Sequence, residues 1–216
     1  MDKDASLPIL SPEEIRVLGA LIEKSKTTPD YYPMSLNALT AACNQKTSRY
    51  PVVDYDEETV VLALNSLKGQ SLVATAIGGG SRTMKYKHNF TTVFDVSPEE
   101  LAILCLLMIR GPQTPGELNT NSARLIEFRS LESVHAALYK LQHSNPPFVL
   151  ELPKRPGQKE ARFVHLLSGT VSFEDYDQVE EPARKNVSHL EERMEKLEKE
   201  LAEVKENLDK LMKQLS

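Results

Sequence analysis

The chain has 216 residues, of which 40% are hydrophobic and 26% are charged, a composition typical of a soluble globular protein with one large domain or two small ones. No basic stretch leads into an apolar segment near the N-terminus, and the longest apolar run, residues 101–109, is too short to cross a bilayer. We therefore expect a cytoplasmic protein without a membrane segment. The net charge of −5 arises in residues 171–216, which contain eight Lys/Arg and thirteen Asp/Glu, so the remainder is neutral overall.

An internal repeat defines the predicted architecture. The phrase Ser-Pro-Glu-Glu occurs at 11–14 and again at 97–100, and each copy can begin a helix with Ser as N-cap, Pro in the first turn and Glu closing a capping box. Two further pairs of segments share helical spacing, namely 35–39 with 114–118 and 58–67 with 132–141. The separation between copies falls from 86 to 79 to 74 residues, which is typical of deletions in the loops of a duplicated fold.

Each third helix is followed by two segments with strand character, at 72–77 and 84–90 in the first copy and at 148–152 and 161–166 in the second. Because Gly78-Gly79-Gly80 joins strand to strand, we interpret it as a flexible hairpin tip and not as a phosphate-binding loop. The sequence predicts a mainly α protein with small β-hairpins (α+β), built from two tandem winged helix-turn-helix domains that each close their own core. We predict a disordered N-terminus at 1–10, the first domain at 11–92 and the second at 93–170.

The tail carries a heptad pattern. Apolar residues spaced alternately by three and four are Val187, Leu190, Met194, Leu197, Leu201, Val204, Leu208, Leu211 and Leu215. In a parallel pair of helices, Arg193 would face Glu198 and Glu200 would face Lys205, and both pairs attract. The pattern predicts a dimerisation helix, a coiled coil, at 185–216, after an acidic linker at 171–184. The alternative is that this helix packs back on its own globular part.

Three segments resemble the YceH family of bacterial proteins. They are the opening at 10–24, the tyrosine-rich connection at 28–37, and residues 43–52 with their Asn-Gln-Lys-x-Ser-Arg-x-Pro phrase. The resemblance covers nearly all of residues 10–170 and implies a bacterial tandem winged-helix protein that is dimeric. The function of that family is unknown, so the resemblance implies no ligand and no activity.

Winged helices on DNA usually place the third helix in the major groove and the hairpin against phosphates. Here the third helices, at 56–68 and 131–143, begin with acidic residues, and positive charge gathers instead on the hairpins and ahead of the first of these helices. The residues we predict to contact DNA are Lys46, Ser48, Arg49, Asn65, Lys68, Arg82, Lys85, Lys87, Lys154, Arg155, Lys159 and Arg162. The alternative is ordinary solubilising charge at sheet edges.

The sequence indicates no catalytic, cofactor or metal site. Cys43 and Cys105 lie in apolar helical patterns and are interpreted as small core residues. The five histidines lack metal-ligand spacing, and nothing nominates a base for a nucleophile. Four tyrosines ahead of the first of these third helices, Tyr31, Tyr32, Tyr50 and Tyr55, either line a small-ligand pocket or pin a long loop to the core.

Two functional hypotheses follow. The first is a dimeric DNA-binding regulator or nucleoid-associated protein, and the second is a protein-interaction module in which the winged helices are docking surfaces. We expect no enzymatic activity, because no residue constellation supports it.

Overall fold

The computed structural model describes residues 6–77, 84–154 and 158–169, and it is a mixed α+β structure. The helices there are α1 (Pro12–Thr27), α2 (Leu36–Cys43), α3 (Glu57–Gly69), α4 (Phe90–Val93), α5 (Pro98–Arg110), α6 (Pro115–Ser122) and α7 (Leu131–His143), with a 3-10 turn at Pro29–Tyr31. The strands are β1 (Met34–Ser35), β2 (Val73–Ile77), β3 (Met84–His88), β4 (Val149–Glu151) and β5 (Phe163–His165). The element order of the first copy, three helices and then a hairpin, recurs in the second.

The two Ser-Pro-Glu-Glu motifs begin α1 and α5, as predicted. The Ser11 N–H donates to Glu14 Oε2 at 2.6 Å, and the Glu14 N–H donates back to Ser11 Oγ at 3.3 Å. The matching distances at Ser97 and Glu100 are 2.9 and 3.2 Å. Thr114 closes a third capping box at the start of α6. Because each box satisfies backbone donors that a helix start leaves unpaired, these residues fix where the helices begin.

The third helices of the two copies bury the same face. Buried residues at matching positions are Val60, Ala63, Leu64 and Leu67 on α3, and Val134, Ala137, Leu138 and Leu141 on α7. Each set spans two turns with a 3.6-residue period, so one side of each helix packs inward and the other faces solvent. The repeat that was predicted from the sequence is therefore present in the packing of these helices.

The hairpins form as predicted, but the first sheet has a third strand. In the first copy β2 pairs antiparallel with β3, and β1 pairs with the other edge of β3, which gives the order β1-β3-β2. In the second copy β4 pairs with β5, and a single bridge between Gln113 and Phe163 takes the place of β1. Gln113 lies 79 residues after Met34, the separation found for the neighbouring second helices. The second copy thus keeps a one-residue remnant of the third strand.

The two copies share one interior. Their buried apolar side chains form a continuous cluster, because α1 and α5 pack directly against each other. The Cys105 thiol, fully buried on α5, approaches the Gly19 carbonyl oxygen on α1 at 3.5 Å. The expectation that each copy closes its own core is therefore corrected. The first helix of each copy is apolar and buried on nearly all sides, because one of its faces packs against the first helix of the other copy.

One contact between α1 and α5 joins equivalent positions of the repeat. Gly19 and Cys105 are 86 residues apart, which is the separation of the two Ser-Pro-Glu-Glu motifs. On the same helix faces, a Cβ on Gly19 would lie 3.2 Å from Met108 Cβ. The first helices of the two copies therefore pack closely at the point where these equivalent residues meet.

The N-terminal prediction needs one correction. Residues 1–5 lie outside the described residues, but Leu10, at the end of the segment predicted to be disordered, is buried at 2% exposure. Its N–H donates to the Leu167 carbonyl oxygen at 2.7 Å, which ties the start of the described chain to its end. The glycine-rich hairpin tip at 78–80, the acidic linker at 171–184 and the heptad tail at 185–216 lie outside the described residues.

Candidate nucleic-acid interface

The outward face of α3 offers few groups that could bind an anion. Asp56 caps the helix by accepting a hydrogen bond from the Thr59 N–H at 2.8 Å, and this bond lowers the pKa of the Asp56 carboxyl. Two exposed glutamates follow it. Farther along, Leu62 is 65% exposed, Asn65 is exposed and Lys68 is half-buried. This face is acidic at its start and apolar in its middle.

The outward face of α7 carries cationic and hydrogen-bonding groups. His135, Tyr139, Lys140 and His143 are exposed there. The Tyr139 side chain is 63% exposed, and its ring stacks on that of His143 with centroids 4.0 Å apart and an interplanar angle of 25°. His143 Nδ1 also lies 2.8 Å from the Tyr139 carbonyl oxygen. The two rings therefore form a fixed pair on the surface near the end of the helix.

The first hairpin presents lysines on β3. Lys87 is exposed and Lys85 is half-buried, so both ammonium groups can reach solvent on flexible stems. Their neighbour His88 is different, because burial, together with the charge of Lys26, lowers its pKa to about 4. His88 is therefore uncharged at neutral pH and adds nothing to the positive charge of the hairpin.

Arg162, predicted to contact DNA from the second hairpin, is instead buried in an internal ion pair. Its exposure is 7%, and Nη1 and Nη2 donate to the two carboxylate oxygens of Glu117 at 2.6 and 2.9 Å. Nη1 also donates to the Pro112 carbonyl oxygen at 2.9 Å. With its donors used inside the fold, Arg162 is not placed to contact a phosphate. Lys154 and Lys159 on the same hairpin are exposed.

Arg49, also predicted to contact DNA, is buried in an internal ion pair as well. It is 6% exposed, and Nη2 and Nη1 donate to the Glu23 carboxylate at 2.6 and 3.1 Å. The Ser48 hydroxyl accepts a hydrogen bond from Arg110 Nη2 at 2.8 Å, so it too is engaged internally. Lys46 alone of the three predicted residues in this segment is exposed. Arg82 and Arg155 lie outside the described residues.

The segment that contains Ser48 and Arg49 joins the two copies. Arg110, at the end of α5, bridges Ser48 to Asn121 Oδ1, which its Nη1 contacts at 3.0 Å. The Tyr50 N–H donates to the Ile109 carbonyl oxygen at 2.8 Å. These bonds attach the long connection of the first copy to α5 of the second. The Ser-Arg-x-Pro phrase therefore has a structural role, because its residues make contacts inside the fold.

The tyrosine-rich connection is pinned to the first sheet. The Tyr32 hydroxyl accepts a hydrogen bond from the His88 N–H at 2.6 Å, and burial raises the pKa of Tyr32 to about 12. Tyr55 is held by Asn44, whose side-chain amide bonds both the N–H and the carbonyl oxygen of Tyr55 at 2.8 and 2.7 Å. Of the two interpretations of these tyrosines, the contacts favour the anchoring of a loop.

Neither thiol is activated. Burial raises the pKa of Cys43 to about 12 and raises that of Cys105 as well, and a thiol that stays protonated is a poor nucleophile and metal ligand. Across 6–77, 84–154 and 158–169, no group of three or more His, Cys, Asp or Glu side chains is placed to hold a metal ion. The helices in those ranges are all too short or too polar to span a membrane.

Comparison with known proteins identifies the family. A profile described as a protein of unknown function, DUF480, matches residues 10–158. A UPF0502 protein of Opitutus terrae is 46% identical over 180 residues, which covers 83% of this chain and 78% of the relative. The chain belongs to the DUF480, or UPF0502, family. A UPF0502 protein of Koribacter versatilis is 49% identical over 74% of each chain, and one of Shewanella amazonensis is 42% identical over 89% of this chain and 96% of its own.

Family membership confirms the resemblance to YceH-like proteins that the three sequence segments indicated. Those segments contain most of α1, the anchored Tyr32 and the buried Arg49. In this UPF0502 chain, these residues stabilise the fold.

Several exposed groups in the second copy were not among the residues predicted to contact DNA. Arg124 and Arg129 are exposed in the segment between α6 and α7, and Tyr139, Lys140 and His143 are exposed on α7 itself. Arg124 and Arg129 could have been added to the predicted DNA-contacting residues from the sequence alone, because they directly precede a predicted third helix. The stacking of Tyr139 on His143 could have been predicted from their spacing of four residues on a helix.

Proposed function

We propose that this chain is a DNA-binding protein built on two winged helix-turn-helix units, that it acts in the cytoplasm, and that it binds without catalysing a reaction. The observation that carries the proposal is the repeated order of three helices and an antiparallel hairpin, with exposed lysines on both hairpins. In winged helices that bind DNA, the hairpin usually meets the backbone while the third helix enters the major groove.

We further propose that the heptad tail pairs two chains in parallel. The proposal is supported by the narrow apolar seam and by the attraction of Arg193 for Glu198 and of Glu200 for Lys205 across that seam. A paired molecule would carry four hairpins. Phosphate contacts from several hairpins add, because each neutralised phosphate releases bound counterions.

The test is a titration of the full chain against fluorescently labelled duplex DNA of mixed sequence at several salt concentrations. We expect affinity to fall steeply with salt, and we expect the Lys85→Ala, Lys87→Ala double variant to reduce the slope of log K against log salt by about 1.8, or roughly 0.9 for each phosphate that is no longer neutralised. Lys26→Ala removes an exposed lysine outside the predicted set and should leave the slope unchanged. Failure of the unaltered chain to bind at low salt would refute the proposal.

The alternative function is a protein-docking module. The exposed Leu62 on α3 favours it, because an apolar side chain in the middle of the surface of a third helix is better suited to a protein partner than to phosphates. In that case duplex DNA does not bind at low salt, and crosslinking of the chain to a partner in cells is abolished in Leu62→Glu but kept in Asn65→Ala.

A further inference from the structure

The two third helices occupy equivalent places in the repeat but present different chemistry. Matching residues that face away from the core are Glu58, Val61, Leu62, Asn65, Ser66 and Gly69 on α3, and Glu132, His135, Ala136, Tyr139, Lys140 and His143 on α7. Each set contains one glutamate. Besides it, the α3 set has two aliphatic side chains and no cation, whereas the α7 set has a lysine, two imidazoles and a phenol, which supply positive charge and several hydrogen-bond donors.

The charge of the surrounding chain differs in the same direction. Residues 50–69, which end with α3, contain one Lys/Arg and four Asp/Glu, a net charge of −3. The matching residues 124–143, which end with α7, contain three Lys/Arg and two Asp/Glu, a net charge of +1. Because a duplex carries one negative charge per about 1.7 Å of its axis, the first segment repels DNA and the second attracts it.

The cations of the second segment are spaced to meet both sides of a groove. Arg129 is exposed just ahead of the first turn of α7, and Lys140 is exposed in its last turn. Within the helix, the nine residue steps from Leu131 to Lys140 rise about 14 Å, close to the roughly 12 Å width of the major groove, and Arg129 lies just beyond that span. Between the two cations, His135 and Tyr139 lie on the same exposed face, where their ring N–H and O–H groups can meet base edges or phosphates.

We infer that α7, and not α3, is the third helix with which this chain contacts duplex DNA. The inference rests on the proposed function and names the part of the molecule that performs it. The second copy supplies the helix that enters the groove, while α3 keeps the equivalent place in the fold without binding. The acidic start of α3 then no longer conflicts with DNA binding, because that surface stays away from the phosphates.

Matched substitutions at equivalent positions test the inference in the full chain. Arg129→Ala with Lys140→Ala should lower the slope of log K against log salt by about 1.8, and Tyr139→Ala should weaken binding by roughly tenfold, which is within the range expected when a base-contacting side chain is removed. Glu132→Gln should strengthen binding, because it removes a negative charge beside the phosphates. The equivalent changes on α3, Asn65→Ala, Ser66→Ala and Glu58→Gln, should leave affinity and slope unchanged. Circular dichroism shows whether each variant is folded.

The outcomes separate the inference from the function on which it rests. If the unaltered chain binds DNA and only the α7 substitutions change affinity, the inference is supported. If the chain binds but the α7 substitutions have no effect, or the α3 substitutions weaken binding as much, the inference is wrong while the proposed function stands. If the unaltered chain does not bind at low salt, both are wrong.

Discussion

Gly19 lies where α1 meets α5 and has no room for a side chain. A Cβ added there would lie 2.6 Å from Ile109 Cγ2 and 3.2 Å from Met108 Cβ. The isoleucine methyl is held close to the backbone and cannot turn aside without changing χ1, so Gly19→Ala must push the helices apart. Overpacking of this kind costs about 1–3 kcal/mol, and the better helix propensity of Ala returns up to about 1 kcal/mol. We expect a net destabilisation of up to about 2 kcal/mol after the full gain in helix propensity is subtracted.

Gly69, near the end of α3, provides the matched control. A Cβ there meets nothing within 4 Å, so Gly69→Ala should raise the free energy of unfolding by up to about 1 kcal/mol through helix propensity alone. Urea denaturation followed by circular dichroism measures both variants. The same Gly-to-Ala change is then expected to act in opposite directions at the two positions.

A double-mutant cycle identifies the cause of the destabilisation. Ile109→Ala removes the methyl that the new Cβ would strike, so Gly19→Ala should cost at least about 1 kcal/mol less in that background than in the unaltered chain. Equal costs in the two backgrounds, or a stabilising Gly19→Ala, would refute the proposed packing of α1 on α5.

Three further outcomes are expected. Arg162→Ala leaves the half-buried Glu117 carboxylate without its cation and bonded only to the Thr114 N–H, and it should lower the free energy of unfolding by about 1.5–3 kcal/mol; a decrease below about 0.5 kcal/mol in urea denaturation would contradict this. Burial lowers the pKa of His88 and His165 to about 4, while an unfolded histidine titrates near about 6.5. The unfolded chain therefore binds more protons between these values, and stability, full above about pH 6.5, should fall as the pH drops toward 4. His165→Leu should reduce the slope of the free energy of unfolding against pH by the equivalent of up to one bound proton. An unchanged slope would contradict the lowered pKa of His165. Leu201→Lys with Leu208→Lys should give monomers in light scattering, and an unchanged mass would remove the heptad seam as the basis of pairing.

Much of the fold could be predicted because local chemistry decides it. Ser11 and Ser97 each carry a complete capping box within four residues, and the buried faces of α3 and α7 repeat with a helical period. Strand β1 could not be predicted, since Met34 and Ser35 pair with Tyr86 and Lys85 some 50 residues away. A two-residue strand carries no alternation of its own, and its pairing depends on a tertiary contact.

The shared interior was missed for a related reason. The apolar residues of α1 and α5 show that both helices are buried, but burial against a neighbouring copy has the same pattern as burial within one copy. Cys105 and Gly19, which meet between the copies, are small residues that fit either arrangement. Whether these residues pack within one copy or against the other copy depends on tertiary structure, which the local sequence does not specify.

The exposure of the residues predicted to contact DNA was anticipated only in part. Lys46, Lys87 and Lys154 are exposed as a DNA-contacting role requires, whereas Arg49 and Arg162 are buried against glutamates. A sequence shows that an arginine is present but not whether a carboxylate distant in the chain has engaged it. Arg49 and Glu23 are 26 residues apart, and Arg162 and Glu117 are 45 apart, so both pairs depend on tertiary structure.

Lysine reactivity measured with and without duplex DNA tests the central claim most directly. Acetylation with a soluble reagent, followed by mass spectrometry, reports each lysine in the intact chain. We predict that DNA protects Lys140 on α7 and Lys87 on the first hairpin, while Lys68 on α3 and Lys26 on α1 react equally in both samples. Unchanged reactivity at Lys140 and Lys87 under low salt and saturating duplex would contradict a DNA interface formed by α7 and the hairpin.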